Sequence, residues 1–166
     1  MRVLGVDPGT LRLGFGVVDA EGASVVYVSS GTVKCSDKLP VPERLKLLYA
    51  ELEKVIRLHK PDCAAVESPF FSVNARSALA IGKAQTVAIL AAVNAGLEVF
   101  EYPPALIKSH IAGFGASTKD QVTSMVMLQL RLTEPLSSPD AADALACALC
   151  HIQEARRTAV IRASQA

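Results

Sequence analysis

Four carboxylates stand where solubility does not account for them. Asp7 closes the apolar run RVLGVD, Glu67 closes CAAVE, and Asp140 and Asp143 lie three apart in SPDAADALACALCHI. From Ala141 to Cys150 only Asp143 is charged, in a stretch otherwise made of Ala, Leu and Cys. An unpaired buried carboxylate costs several kcal/mol or takes up a proton. Asp143 therefore needs a partner from elsewhere, either a basic side chain or a metal. Two carboxylates about 5 Å apart at an effective dielectric near 20 repel by about 3 kcal/mol, and several such pairs favour the metal. All-carboxylate ligation suits Mg²⁺ or Mn²⁺ rather than zinc. Two such ions ~3.5–4 Å apart clamp the attacking and leaving oxygens of a phosphodiester. Asp140 has a second reading. Ser138 is a natural N-cap and Pro139 a natural first helical residue, so a charge at Asp140 also favours the helix dipole by ~0.3–1 kcal/mol.

The elements that must position these acids follow from pattern. RVLGVD, GFGVVDA and ASVVYVSSGTVK, separated by turn signals at Pro8-Gly9 and Glu21-Gly22, predict three strands in an antiparallel meander. Leu45, Leu48, Leu52, Val55 and Ile56 recur at helical spacing before Pro61. CAAVE is a buried strand. An Ala-rich helix from about Asn74 to Gly96, the strand EVFEY and three further helices follow, at Leu106–Ile111, Thr118–Leu130 and Pro139–Arg157. Strands alternating with helices after a meander predict an α/β fold, a mixed five-stranded sheet flanked by helices. If the strands ending in Asp7 and Glu67 are parallel neighbours, both acids emerge at the carboxyl end of the sheet, where open α/β sheets place their sites. Asp140 and Asp143 share a helix face and can be laid onto that end. The pattern places a single domain over residues 1–157 and a mobile tail over 158–166.

The chain has 166 residues, 51% of them hydrophobic, with a formal net charge of +1. That suits one folded domain and means that any nucleic-acid surface must be local. Cys63, Cys147 and Cys150 fall in apolar runs and read as reduced thiols of a cytoplasmic protein. Cys147, Cys150 and His151 lack a second ligand pair at zinc spacing. Asp7 interrupts the N-terminal apolar run, so no secretory leader is expected. The longest apolar stretch, Ala84–Leu97, is shorter than the ~20 residues that span a bilayer, so no membrane association is expected.

With these residues in view, the chain resembles the RuvC family of Holliday-junction resolvases. The stretches that carry the resemblance are LGVDPGTLRLGFGVV, AAVESPFFSVNARSALAIGKAQ, KSHIAGFGASTKDQV and DAADALACALCH, in register through His151. The resemblance implies a ribonuclease-H-like fold, a homodimer, and Mg²⁺-dependent nicking of four-way DNA junctions with two ions per site. It also implies in-line attack by an activated water, leaving 5′-phosphate and 3′-hydroxyl ends. A junction-migrating complex of RuvA–RuvB type is implied as a partner. The family's four acidic positions fall on Asp7, Glu67, Asp140 and Asp143. Some members look to have His at the third of these, where this chain has Asp140. The family often has a basic residue where this chain has Gln85, which leaves that helix face's DNA contact open.

Candidate DNA contacts each have a structural alternative. The resemblance puts Phe70 and Phe71 at the junction centre, where an aromatic can stack on unpaired bases; adjacent aromatics are also common in cores. Asn74 can touch DNA or cap the next helix, and Arg76 can meet phosphate or solvent. Ser117 with Asp120 resembles a capping box. Lys119 then falls in the first turn, where a cation opposes the dipole but can hold a phosphate with the free N–H groups. Lys108 is a candidate by resemblance and otherwise a solvated helical charge. Two other function classes compete with the nuclease. DPGT followed by GFG looks like the first phosphate loop of an actin-like kinase, although no second such loop follows. A non-catalytic junction-binding scaffold needs Phe70, Lys108 and Lys119 but not four acids.

Overall fold

The computed structural model describes residues 1–68, 75–113, 115 and 117–164, with residues 75–77 described by their backbone alone. The calls on Phe70, Phe71 and Asn74, and on the side chain of Arg76, lie outside the described residues. The strands are β1 (Arg2–Asp7), β2 (Arg12–Glu21), β3 (Ser24–Lys34), β4 (Cys63–Glu67) and β5 (Glu98–Tyr102). The helices are α1 (Val41–His59), α2 (Ala75–Asn94), α3 (Pro104–Ala112), α4 (Lys119–Gln129) and α5 (Pro139–Ser164). They build one five-stranded sheet of order β3-β2-β1-β4-β5. The meander β3-β2-β1 is antiparallel, and β1, β4 and β5 run parallel. The expected mixed α/β sheet is therefore present.

Alternation along the strands divides the core in two. Val3 and Cys63 face α3, α4 and α5, whereas Leu4, Val6 and Val66 face α1 and α2. Asp7 and Glu67 continue the Val3 and Cys63 parity, so both project on the α5 side. The apolar stripe of α1 buries Leu48, Leu52 and Ile56 against the other face. That helix ends at Lys60 in a left-handed conformation, whose amide donates to the Ile56 carbonyl at 2.8 Å.

α5 is buried on all sides from Ala144 to Ile152. It can lie this close to the sheet because the strands beneath it carry glycine. A Cβ on Gly5 would stand 2.0 Å from the Ala144 carbonyl oxygen, and one on Gly14 would stand 2.0 Å from that of Asp140. Gly16, which pairs with Gly5 in the ladder, would meet the Leu145 side chain at 2.7 Å. Side chains at these three positions would lift the helix, and its acids, off the sheet. The start of α5 is fixed from both directions. Ser138 Oγ accepts from the Ala141 amide at 3.1 Å, as an N-cap should, and Thr32 of β3 is hydrogen-bonded to the same hydroxyl.

Two sequence expectations need correcting here. α4 is capped by Thr118, not by Ser117 with Asp120. Thr118 Oγ1 accepts from the Gln121 amide at 3.3 Å, and Gln121 Oε1 accepts from the Thr118 amide at 2.9 Å. Ser117 is buried one residue earlier, which moves the cap on to Thr118. α5 also does not stop at Arg157 but continues to Ser164. Thr158–Ser164 contains neither Gly nor Pro, so nothing in the chain ends the hydrogen-bond ladder there.

Candidate active site

β1 and β4 pair in parallel with Val6 opposite Val66, which sets Asp7 and Glu67 side by side at the carboxyl end of the sheet. Asp143 of α5 faces them. Together with Lys108 of α3 and Lys119 of α4 these acids line a pocket of about 260 Å³. Asp140 stands outside that lining, at its rim, near enough that its charge bears on Asp7. Five elements distant in sequence thus supply the site. A larger cavity of about 690 Å³ between β3 and the α4–α5 region contains none of the four acids. A site for a phosphodiester does not need to enclose its substrate, so volume is not the criterion here.

The electrostatics are those of a site short of positive charge. Burial, followed by repulsion from Asp143, raises the Asp7 carboxyl to about 7; Lys119 offsets part of this. Burial, followed by repulsion from Asp7 and Asp143, raises Glu67 to about 8, with Lys119 and Lys108 opposing. Carboxyls raised this far, by burial and by one another, mark the pocket as a candidate functional site. Among the described residues, no three acidic, His or Cys side chains are already close enough together to grip an ion. Asp7, Glu67 and Asp143 share one pocket without being closed into a cage.

Asp143 has the partner it required, and that partner is a lysine. Lys119 Nζ donates to Asp143 Oδ2 at 2.9 Å. The sequence left a basic side chain and a metal open for Asp143 and favoured the metal. Twenty-four residues separate the pair, so helical spacing could not reveal it. A second finding concerns Gln85. It points inward, only 9% exposed, and donates to Glu101 Oε2 at 2.5 Å. It ties α2 to β5 rather than lining an outer face.

Near the site, His110 anchors α3, the helix that carries Lys108. Its Nε2 lies 2.7 Å from Glu154 Oε1 and its Nδ1 lies 3.0 Å from Gln153 Oε1, both on α5. His151 is buried between Tyr102 and Cys63, with Nδ1 2.8 Å from the Tyr102 hydroxyl and Nε2 3.4 Å from Cys63 Sγ. Burial pushes Cys63 up to about 11 and Cys150 to about 12, which keeps both as neutral thiols packed in the core. What sequence reasoning missed was the glycine floor under α5. Its signal was available: Gly14 and Gly16 alternate in β2 opposite Asp7 and Gly5, and glycine inside a strand marks a close approach by another backbone.

An antiparallel meander continued by parallel strands, with acids at the ends of β1 and β4 and a buried acidic helix across them, defines the ribonuclease-H-like class. The family model for crossover junction endodeoxyribonuclease RuvC matches residues 3–151. A crossover junction endodeoxyribonuclease RuvC of Dehalococcoides mccartyi is 49% identical over 151 residues, covering 91% of this chain and 92% of the relative. The structure of T. thermophilus RuvC in complex with Holliday junction substrate aligns at a TM-score of 0.88 and 36% identity, covering 95% of this chain and 96% of that one. The yeast mitochondrial Holliday junction resolvase Ydc2 shares the fold alone, at a TM-score of 0.59 and 14% identity over 89% of this chain and 77% of its own. The chain belongs to the RuvC family.

Proposed function

We propose that this protein resolves four-way DNA junctions by metal-dependent phosphodiester hydrolysis, with Asp7, Glu67, Asp140 and Asp143 as its catalytic and metal-holding residues. The observation that carries the reading is the pair of buried strand-end carboxylates, Asp7 and Glu67, facing Asp143 across one pocket with two lysines on its wall. The donor set is all oxygen and its charges are mutually repelling, which fits a hard divalent cation, Mg²⁺ or Mn²⁺, and two ions in preference to one. When bound, that metal supplies Lewis acidity and lowers the pKa of water. The chain's residues do the rest. The four acids orient the ions, and the sheet beneath Asp7 and Glu67 holds their carboxylates without reorganisation. Lys108 and Lys119 meet the phosphate. None of His59, His110 or His151 lines the pocket, so no protein side chain other than the acids is assigned a part in activating water.

DNA contacts are assigned to Phe70, Phe71, Asn74 and Arg76, with the two aromatics serving the junction centre. A homodimer fits the two-fold symmetry of the junction and delivers paired nicks. One face of α2 supports it: Leu79, Leu90 and Val93 are exposed there, and a Cβ on Gly82 would meet nothing. Among the described residues, no helix is long and apolar enough to cross a membrane. We assign the protein to the cytoplasm, with a RuvA–RuvB type complex as its junction-migrating partner. The test is a nicking assay on four-way junction and on linear duplex of the same sequence, with Mg²⁺ and with EDTA. Symmetric nicking of the junction alone, only with Mg²⁺, is the expected result. Nicking that survives EDTA, or junction binding without cleavage in Mg²⁺, would overturn the proposal.

A further inference from the structure

We infer that Lys119 is the resident counter-cation of the metal-free pocket, and that a divalent ion displaces its ammonium from Asp143 and so releases it to a DNA phosphate. The inference rests on the reading of the four acids as metal ligands.

Three observations support the exchange. First, the ammonium sits on Asp143 Oδ2, one of the metal-ligand oxygens of the proposed site, at 2.9 Å. A divalent ion seated on that oxygen would face a cation within about 3–4 Å, so the two contacts exclude each other electrostatically. Second, the pair is lopsided. The Asp143 side chain is 18% exposed and set in a buried helix, whereas the Lys119 side chain is 71% exposed. The acid is fixed, and the lysine's four-carbon stem can swing without disturbing packing. Third, Lys119 is the first residue of α4, where a positive charge opposes the helix dipole. Its local surroundings disfavour it, and its compensation is tertiary: the hydrogen bond to Asp143, in a pocket whose wall Lys119 shares with Asp7 and Glu67. One ammonium thus serves three of the four acids. When a divalent ion takes over that service, Lys119 is left on the pocket wall as an exposed point charge on a flexible stem, able to meet a phosphate. Metal loading and DNA engagement are thereby linked through a single side chain.

The exchange is tested without DNA and without cleavage, by calorimetric titration of Mn²⁺ into the whole protein at pH 8.5. Lys119→Gln removes the competing charge, Lys119→Arg keeps it, and Asp7→Asn is the control for the site. The expected result is that Lys119→Gln binds Mn²⁺ about fivefold tighter, the factor one screened ion pair represents, while Lys119→Arg stays within about twofold of the unaltered chain. Lys119 is exposed, so both variants fold, and matching melting curves check this. Equal or weaker Mn²⁺ binding by Lys119→Gln, with binding lost in Asp7→Asn, would overturn the exchange and leave the metal site standing. Binding undiminished in Asp7→Asn would instead overturn the metal reading, and the exchange with it.

Discussion

Replacing Asp7 by asparagine should change how stability depends on pH in the metal-free protein. Burial and the Asp143 charge raise the Asp7 carboxyl from 3.8 to about 7 in the fold. The unfolded chain leaves it at its ordinary value. Between about pH 4 and pH 7 the native state therefore holds a proton that the unfolded state has given up, and stability falls as pH rises through that window. The stretch from about pH 5.5 to pH 7 is roughly 1.5 units, worth about 2 kcal/mol at about 1.36 kcal/mol per unit. Above the native value Asp7 is ionised in both states and its penalty is constant. Asparagine has no proton to lose and escapes the decline. Glu67, raised to about 8 by burial and then by Asp7, also loses one source of repulsion in the variant, which acts in the same direction. For a chain of this length, 2 kcal/mol corresponds to about 4–8 °C in Tm. The assay is thermal unfolding followed by circular dichroism in EDTA at about pH 5.5, 7 and 8.5. Variant minus parent Tm should increase by about 4–8 °C from the lowest to the highest pH. Adding Mg²⁺ at the highest pH should raise the parent and leave the variant almost unmoved. A difference that is the same at all three pH values would refute the claim that Asp7 carries a buried, uncompensated charge.

Further outcomes are expected from the same geometry. Asp7→Asn and Glu67→Gln should each reduce junction nicking by at least about 10³-fold, since each removes a ligand of the activating ion, while junction binding in a gel-shift assay is retained or strengthened; loss of binding would show that the acids also hold DNA. Gly5→Ala should cost about 3 kcal/mol by pressing a methyl into the α5 backbone, lowering Tm by about 6–12 °C, and an unchanged melting curve would mean that α5 does not rest on Gly5. Lys108→Ala should weaken junction binding and flatten its log–log salt dependence by about 0.9, one phosphate contact; an unaltered slope would place Lys108 away from the backbone.

The sequence by itself determined the elements and the identities of the acids. The short apolar runs of β1 and β4, the helical spacing of Leu48, Leu52 and Ile56, and the Ser138-Pro139 start of α5 are local signals, set by backbone geometry and capping within a few residues. They sufficed to end both strands in a carboxylate and to put Asp143 where no neighbour along its own helix could neutralise it. Only the tertiary structure decided what surrounds those acids. It chose Thr118 over Ser117 as the cap of α4 by burying Ser117, turned Gln85 inward onto Glu101, and set Lys119 on Asp143 across twenty-four residues. It also laid α5 on Gly5, Gly14 and Gly16; glycines inside strands signal a close approach, but not which element makes it. The division has a physical basis. Hydrogen-bond ladders and side-chain periodicity repeat within a segment and can be read along it. Charge pairing and backbone contact depend on separation in space, which exists only once the sheet has brought β1 and β4 side by side and the helix has been laid across them.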